Sequence, residues 1–160
     1  MSNIIFLDVD GPLIPTRQYL TDRHIFDHEF GHYVYDSVAV GMYNKLCKEC
    51  DAKIVFNSSH NTFGEDKIRY AAVKNGFNEE FLHKDLITKF PSYTIRRSDG
   101  VTSWLVDHAK DVKRHVVIDD DKNAATPLVL VEFDVGFSVN NYYEVIKILM
   151  PDLDIQRILV

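Results

Sequence analysis

Short apolar runs, each ended by a polar cluster, alternate along this chain with segments of helical spacing. Ile4 to Leu7 is apolar and is stopped by Asp8-Val9-Asp10-Gly11-Pro12, which predicts a buried strand and a turn. Val38, Met42, Leu46 and Cys50 recur at every fourth position and predict one face of a helix. Lys53 to Asn57, centred on Ile54-Val55-Phe56, predicts a second strand. Ile68, Ala71 and Ala72, followed by Asn75-Gly76, predict a helix with its stop signal. Leu86-Ile87-Thr88 predicts a short third strand. Asp99 is expected to cap a helix carrying Val101, Trp104, Leu105 and His108. Val116-Val117-Ile118 predicts a fourth strand ending in Asp119-Asp120-Asp121, and Leu128 to Phe133 a fifth. A last helix is expected from Asn140 to Met150, stopped by Pro151. Residues 11–36 are polar and aromatic with weak periodicity and are expected to form a flap. Strand alternating with helix gives an α/β fold, a three-layer sandwich whose central parallel sheet is covered on both faces.

Composition narrows this picture. A length of 160 residues predicts one domain, 1–160, and an apolar content of 46% excludes a largely disordered chain. Acidic residues outnumber basic ones, 24 to 18, for a net charge of −6. That argues against a general nucleic-acid coat protein, which neutralises many phosphates, but leaves room for a local basic pocket. No apolar run approaches the length that spans a bilayer, so no membrane partner is expected. The apolar stretch at the N-terminus is short and lacks a charged flank, so it is expected to be a strand and not a signal peptide. The two cysteines, Cys47 and Cys50, make no disulfide framework, and a cytoplasmic location is expected.

Three predicted strands end in polar clusters: Asp8-Val9-Asp10-Gly11, Asn57-Ser58-Ser59-His60 and Asp119-Asp120-Asp121. Parallel neighbours would bring these clusters to one edge of the sheet, where α/β proteins bind ligands. Carboxylates gathered there raise one another's pKa unless a cation sits among them. Oxygen ligands suit Mg²⁺, and Mg²⁺ held by few carboxylates leaves room for a substrate phosphate.

Taken together, these motifs resemble those of the haloacid dehalogenase (HAD) superfamily of aspartyl-phosphate phosphatases. Ile4-Ile5-Phe6-Leu7-Asp8-Val9-Asp10-Gly11 is similar to its first motif. Ile54-Val55-Phe56-Asn57-Ser58 is similar to its second, and Val116-Val117-Ile118-Asp119-Asp120 to its fourth. A narrower resemblance, carried by Arg97, Trp104-Leu105 and Gly136-Phe137-Ser138, is to a small branch associated with RNA repair and phage-type nucleic-acid end processing. That branch usually has Ser-Ser-Trp-Arg where this chain has Ser58-Ser59-His60-Asn61. The resemblance implies strand order 3-2-1-4-5, and the 47 residues between Asp10 and Ser58 leave 11–36 as a flap in place of a full cap domain. It implies Asp8 as nucleophile and Asp10 as general acid and base, the latter also binding Mg²⁺ through its main-chain carbonyl. Ser58 would bind the transferred phosphoryl, Asp119 would bind Mg²⁺, and Asp120 would complete its shell or orient Asp8. Arg97 is the candidate phosphate-binding cation, with Arg96, Lys89 and Lys84 as alternatives. The expected reaction is hydrolysis of a phosphomonoester, with a nucleotide or a nucleic-acid terminal phosphate as the phosphorylated substrate.

Two other readings are open. A catalytically silent member would use the fold for binding alone. His28-Glu29-Phe30-Gly31-His32 matches the zinc-protease pattern, with Glu49 as a third ligand, although Gly31 and the lack of a sustained apolar face argue against a helix there. His24, His28 and His32 are alternatively expected to line one side of a cleft. Cys47-Lys48-Glu49-Cys50 lies inside a predicted helix and is expected to carry no chemistry.

Overall fold

The structure, a computed structural model, describes residues 1–21, 26–28, 31–90 and 96–153. Five strands form one parallel sheet: β1 (Ser2–Leu7), β4 (Ala52–Phe56), β5 (Leu82–Ile87), β6 (Val112–Asp119) and β7 (Leu128–Leu130), in the order β5-β4-β1-β6-β7. Counted along the chain within this sheet, that is the expected 3-2-1-4-5. A two-stranded antiparallel hairpin, β2 (Phe26–Asp27) and β3 (His32–Tyr33), stands apart from it. The helices are α1 (Thr16–Tyr19), α2 (Ser37–Cys50), α3 (Glu65–Lys74), α4 (Arg97–Asp107) and α5 (Val139–Leu149). Among the described residues no helix is long and apolar enough to cross a membrane.

The central strand explains the layering. Successive side chains of a strand point to opposite faces, so a strand covered on both sides is apolar throughout. Ile5 and Leu7 face a core built with α2, α3 and α5, whereas Ile4 and Phe6 face a smaller one built with Val101 and Trp104 of α4. Phe6 meets Trp104 edge to face at 5.4 Å between ring centroids.

Several boundaries differ from the sequence reading. Val38 is exposed, whereas Leu46 and Cys50 are buried as expected and Met42 packs against the core; α2 also buries Ala39, Val40, Tyr43 and Cys47. A strict four-residue spacing drifts about 40° per step around a helix of 3.6 residues per turn, so its first position falls off the buried stripe. Asp99 does not cap α4. Arg96 occupies the cap position, and Asp99 sits in the first turn, where the helix dipole favours an acid. β5 begins at Leu82, because an edge strand with exposed Lys84 and Asp85 lacks a continuous apolar run. β7 ends at Leu130, and the chain turns through Glu132–Gly136, where Gly136 N–H donates to the Glu132 carbonyl at 2.8 Å. Within residues 11–36 the described part comprises α1 and the β2–β3 hairpin.

Candidate active site

Strand register brings the polar clusters level. Leu7 pairs with Phe56 on one side and Ile118 on the other. The next residue on each strand is therefore Asp8, Asn57 and Asp119. The Asp8 N–H donates to the Ile118 carbonyl at 3.0 Å, and the Asn57 N–H to that of Leu7 at 2.9 Å. Hydrogen bonds of the sheet thus fix the main chain on which these side chains stand.

Ligand oxygens of Asp8, Asp119 and Asp120 lie within 4.8 Å of one another. Arg97, from the first turn of α4, bridges two of them, at 2.5 Å to Asp8 Oδ2 and 3.3 Å to Asp119 Oδ1. Gly100 lets α4 approach closely, since a β-carbon there would lie 3.3 Å from Thr88 Oγ1. Thr88 in turn donates to Asn57 Oδ1 at 2.7 Å, and Asn61 Nδ2 donates to the carbonyls of Phe56 and Thr88 at 2.9 and 3.1 Å. This buried network ties the ends of β4 and β5 beneath Ser58, whose side chain hydrogen-bonds Asp8. Gly11, at φ +80°, makes the turn beside Asp120, where a β-carbon would come within 3.0 Å of the Asp120 β-carbon.

Burial raises the Asp8 carboxyl above its ordinary value, against the lowering effect of Arg97, Ser58 and the Val9 N–H. Asp119 is pushed up to about 7, by burial first and then by the Asp8 charge; the Asp121 N–H and Arg97 oppose this. Burial works against the Arg97 cation, but the Asp8, Asp119 and Asp120 charges outweigh it and raise its pKa. One guanidinium thus serves three carboxylates, and Asp119 Oδ2 is buried with no hydrogen-bond partner. An orphaned anionic oxygen in an oxygen-only cluster fits a small hard cation, so these residues can hold a metal ion.

Asp10 stands apart from that cluster. Its carboxylate lies 3.3 Å from His60 Nε2, and this hydrogen bond lowers its pKa despite partial burial. Sequence reasoning gave His60 no role. Its signal was its place two residues beyond Ser58, whose Oγ accepts the His60 N–H at 3.3 Å. Of the four candidate cations, Arg97 is the one that bridges the carboxylates. Arg96 is exposed and lines a neighbouring cavity of about 430 Å³ with Arg97, Ser98 and Asp121. Lys84 is exposed on β5, and Lys89 lines a separate cavity with Glu65, Asp85 and His108.

Among the described residues the zinc-protease geometry is not formed. His32 lies on β3 and His28 just beyond β2, so the two flank a hairpin and do not share a helix face. Glu29 and His24 lie outside the described residues. Neither His28 nor His32 belongs to a group of three potential metal ligands among the described residues. Glu49 is engaged by Lys45 and by the Tyr142 hydroxyl. His32 does line a cavity with His60 next to Asp10. Cys47 and Cys50 are buried thiols, pushed up to about 12 and about 11 chiefly by burial, and carry no thiolate chemistry at neutral pH.

No curated protein and no solved structure matches the chain. A family model does: the one described as the HAD domain in Swiss Army Knife RNA repair proteins matches residues 4–142. That span runs from β1 to the first turn of α5 and takes in every residue of the carboxylate cluster, and the chain belongs to this family of HAD domains.

Proposed function

We propose that the protein is a Mg²⁺-dependent phosphomonoesterase that works through an aspartyl-phosphate and acts on a nucleotide or a nucleic-acid terminal phosphate. The observation that carries this reading is the position of Arg97, held by Asp8 and Asp119 at the carboxyl edge of the sheet. A guanidinium there can take two phosphoryl oxygens while the nucleophile stays within reach. The Asp8, Asp119 and Asp120 carboxylates and the Asp10 main-chain carbonyl would hold Mg²⁺, which when bound supplies further positive charge to the transferred phosphoryl.

The protein's own groups then divide the work. An Asp8 carboxylate oxygen attacks phosphorus, and the ester P–O bond breaks. Asp10 gives its proton to the departing alkoxide. In the second displacement Asp10 takes a proton from water as that water attacks phosphorus. Inorganic phosphate leaves and Asp8 is restored. Ser58 and Arg97 hold the phosphoryl oxygens through both displacements.

The test is hydrolysis of acetyl phosphate and p-nitrophenyl phosphate with and without Mg²⁺. It is paired with trapping of labelled phosphate on the wild-type chain and on Asp8→Asn. Mg²⁺-dependent turnover with an acyl-phosphate label lost in Asp8→Asn is the expected result. An active Asp8→Asn protein overturns the nucleophile assignment, and no turnover with any phosphoester favours a silent binding member.

A further inference from the structure

A cavity of about 400 Å³ opens between the β2–β3 hairpin and α3, and His60 forms part of its wall. The same imidazole pairs with Asp10 at 3.3 Å, so the cavity lies one ring's width from the proposed acid. Its other rings come from Phe26, His32, Tyr33, Tyr35 and Phe63, and Ile68 and Lys67 complete the lining with Gly31 and Ala71. No carboxylate lines it among the described residues, although the chain carries a net charge of −6.

Four of these six rings meet one another in a chain. Phe26 and Tyr33 meet at 77°, Tyr33 and His60 at 57°, and His60 and Phe63 at 85°, with centroids 4.9 to 5.7 Å apart. None of these contacts is a parallel stack, so no two of these rings cover one another face to face. Asn75, at the end of α3, fixes the wall. It donates to the Tyr33 carbonyl at 2.8 Å and accepts from the Tyr35 N–H at 2.7 Å. A wall held in this way loses little freedom on binding.

We propose that this cavity is a base-stacking subsite that receives the nucleobase of the nucleotide whose phosphate enters the active site. The proposal rests on the phosphatase reading for the placing of that phosphate. Aromatic faces that stack bases beside a single cation are the chemistry by which proteins hold unpaired nucleotides. A nucleotide carries its base one sugar away from its phosphate, and His60 touches both Asp10 and the cavity that would take the base. Lys67 would meet the next phosphate of an oligonucleotide and nothing of a mononucleotide.

The experiment uses the full chain with Mg²⁺ and the Asp8→Asn substitution, so that binding is read without turnover. The probes are 2-aminopurine nucleoside monophosphates and short oligonucleotides ending in the same phosphorylated residue, since 2-aminopurine fluorescence falls on stacking. Saturable quenching is expected. Phe63→Ala should weaken binding about tenfold, the loss of one base–aromatic stack, and Phe63→Trp should restore it. Phe63 is 54% exposed, so the substitution leaves the fold intact. Weakening by Lys67→Ala for oligonucleotides alone identifies a nucleic-acid end as the source. An equal response of both probes identifies a free nucleotide. Absence of quenching, or quenching that ignores Phe63, overturns the proposal even if acetyl phosphate is hydrolysed. Preferential, Phe63-dependent binding of a phosphotyrosine peptide also overturns it. Phe63-dependent quenching in a chain that hydrolyses no phosphoester supports the subsite and removes the phosphatase reading.

Discussion

Gly11 and Asp120 are packed so closely that a β-carbon at Gly11 would lie 3.0 Å from the Asp120 β-carbon and 3.2 Å from its carboxyl carbon. The turn after the first strand and a carboxylate after the fourth strand of the parallel sheet therefore constrain each other. Gly11→Ala should cost about 1–2 kcal/mol for the left-handed conformation alone. Asp120 must also move, so Mg²⁺ affinity should fall by more than the stability loss explains. Thermal melts with a Mg²⁺ titration check this. An unchanged affinity would show that Asp120 is not in the ion's shell.

Arg97 neutralises two carboxylates whose side chains are almost wholly buried. Arg97→Ala should destabilise the metal-free protein by roughly 3 kcal/mol, the low end for breaking a buried ion pair, because part of the guanidinium meets solvent. It should also lower kcat/KM by about a hundredfold or more through lost phosphoryl contacts. Arg97→Lys should recover more stability than activity, since an ammonium keeps the charge but not the fork that reaches Asp8 and Asp119 together. Equal recovery of both would argue that Arg97 only balances charge.

Asp10→Asn separates the two displacements. The amide cannot protonate a leaving group, so alkyl phosphates should slow by a hundred- to ten-thousand-fold. p-Nitrophenolate leaves without a proton, so its first displacement should slow far less. The second displacement then lacks its base, and a burst of nitrophenol should precede slow turnover. Rapid-quench kinetics reads the burst. Equal slowing of alkyl and aryl esters would remove Asp10 from the acid role.

Strand ends were the legible part of this molecule. Ile4–Leu7, Ile54–Phe56 and Val116–Ile118 are buried on both faces, so they read as unbroken apolar runs, and the polar residues that stop them are the ones the register brings level. Arg97 was legible only through the narrower resemblance, since a helix's first turn has no pattern that aims it at a neighbouring strand. His60 and the cavity wall were not legible. Tyr33 meets His60 across 27 residues of sequence, and Asn75 holds the Tyr33 carbonyl from the end of α3, a contact that crosses 42 residues. On α2 Met42, Leu46 and Cys50 face the core as the spacing predicts, and Val38 alone of that set is exposed, as it follows the Asp36 cap in the first turn.

Proton linkage gives the sharpest test of the carboxylate cluster. The Asp119 carboxyl rises from 3.8 to about 7 on folding, by burial first and then by the Asp8 charge. A carboxyl raised by folding is favoured in its protonated form. Its contribution to stability is therefore full below about 3.8 and is lost as pH rises through about 7. Asp8 is raised as well and acts in the same sense. A bound cation reverses the sign, because it requires the deprotonated ligands. The rise in melting temperature on adding saturating Mg²⁺ should be small at pH 5, grow through pH 7 and level off by about pH 8. In Asp119→Asn that growth should largely vanish, since the amide does not titrate and binds the ion weakly. A Mg²⁺ shift that is independent of pH, or that persists undiminished in Asp119→Asn, would place the ion elsewhere on the protein.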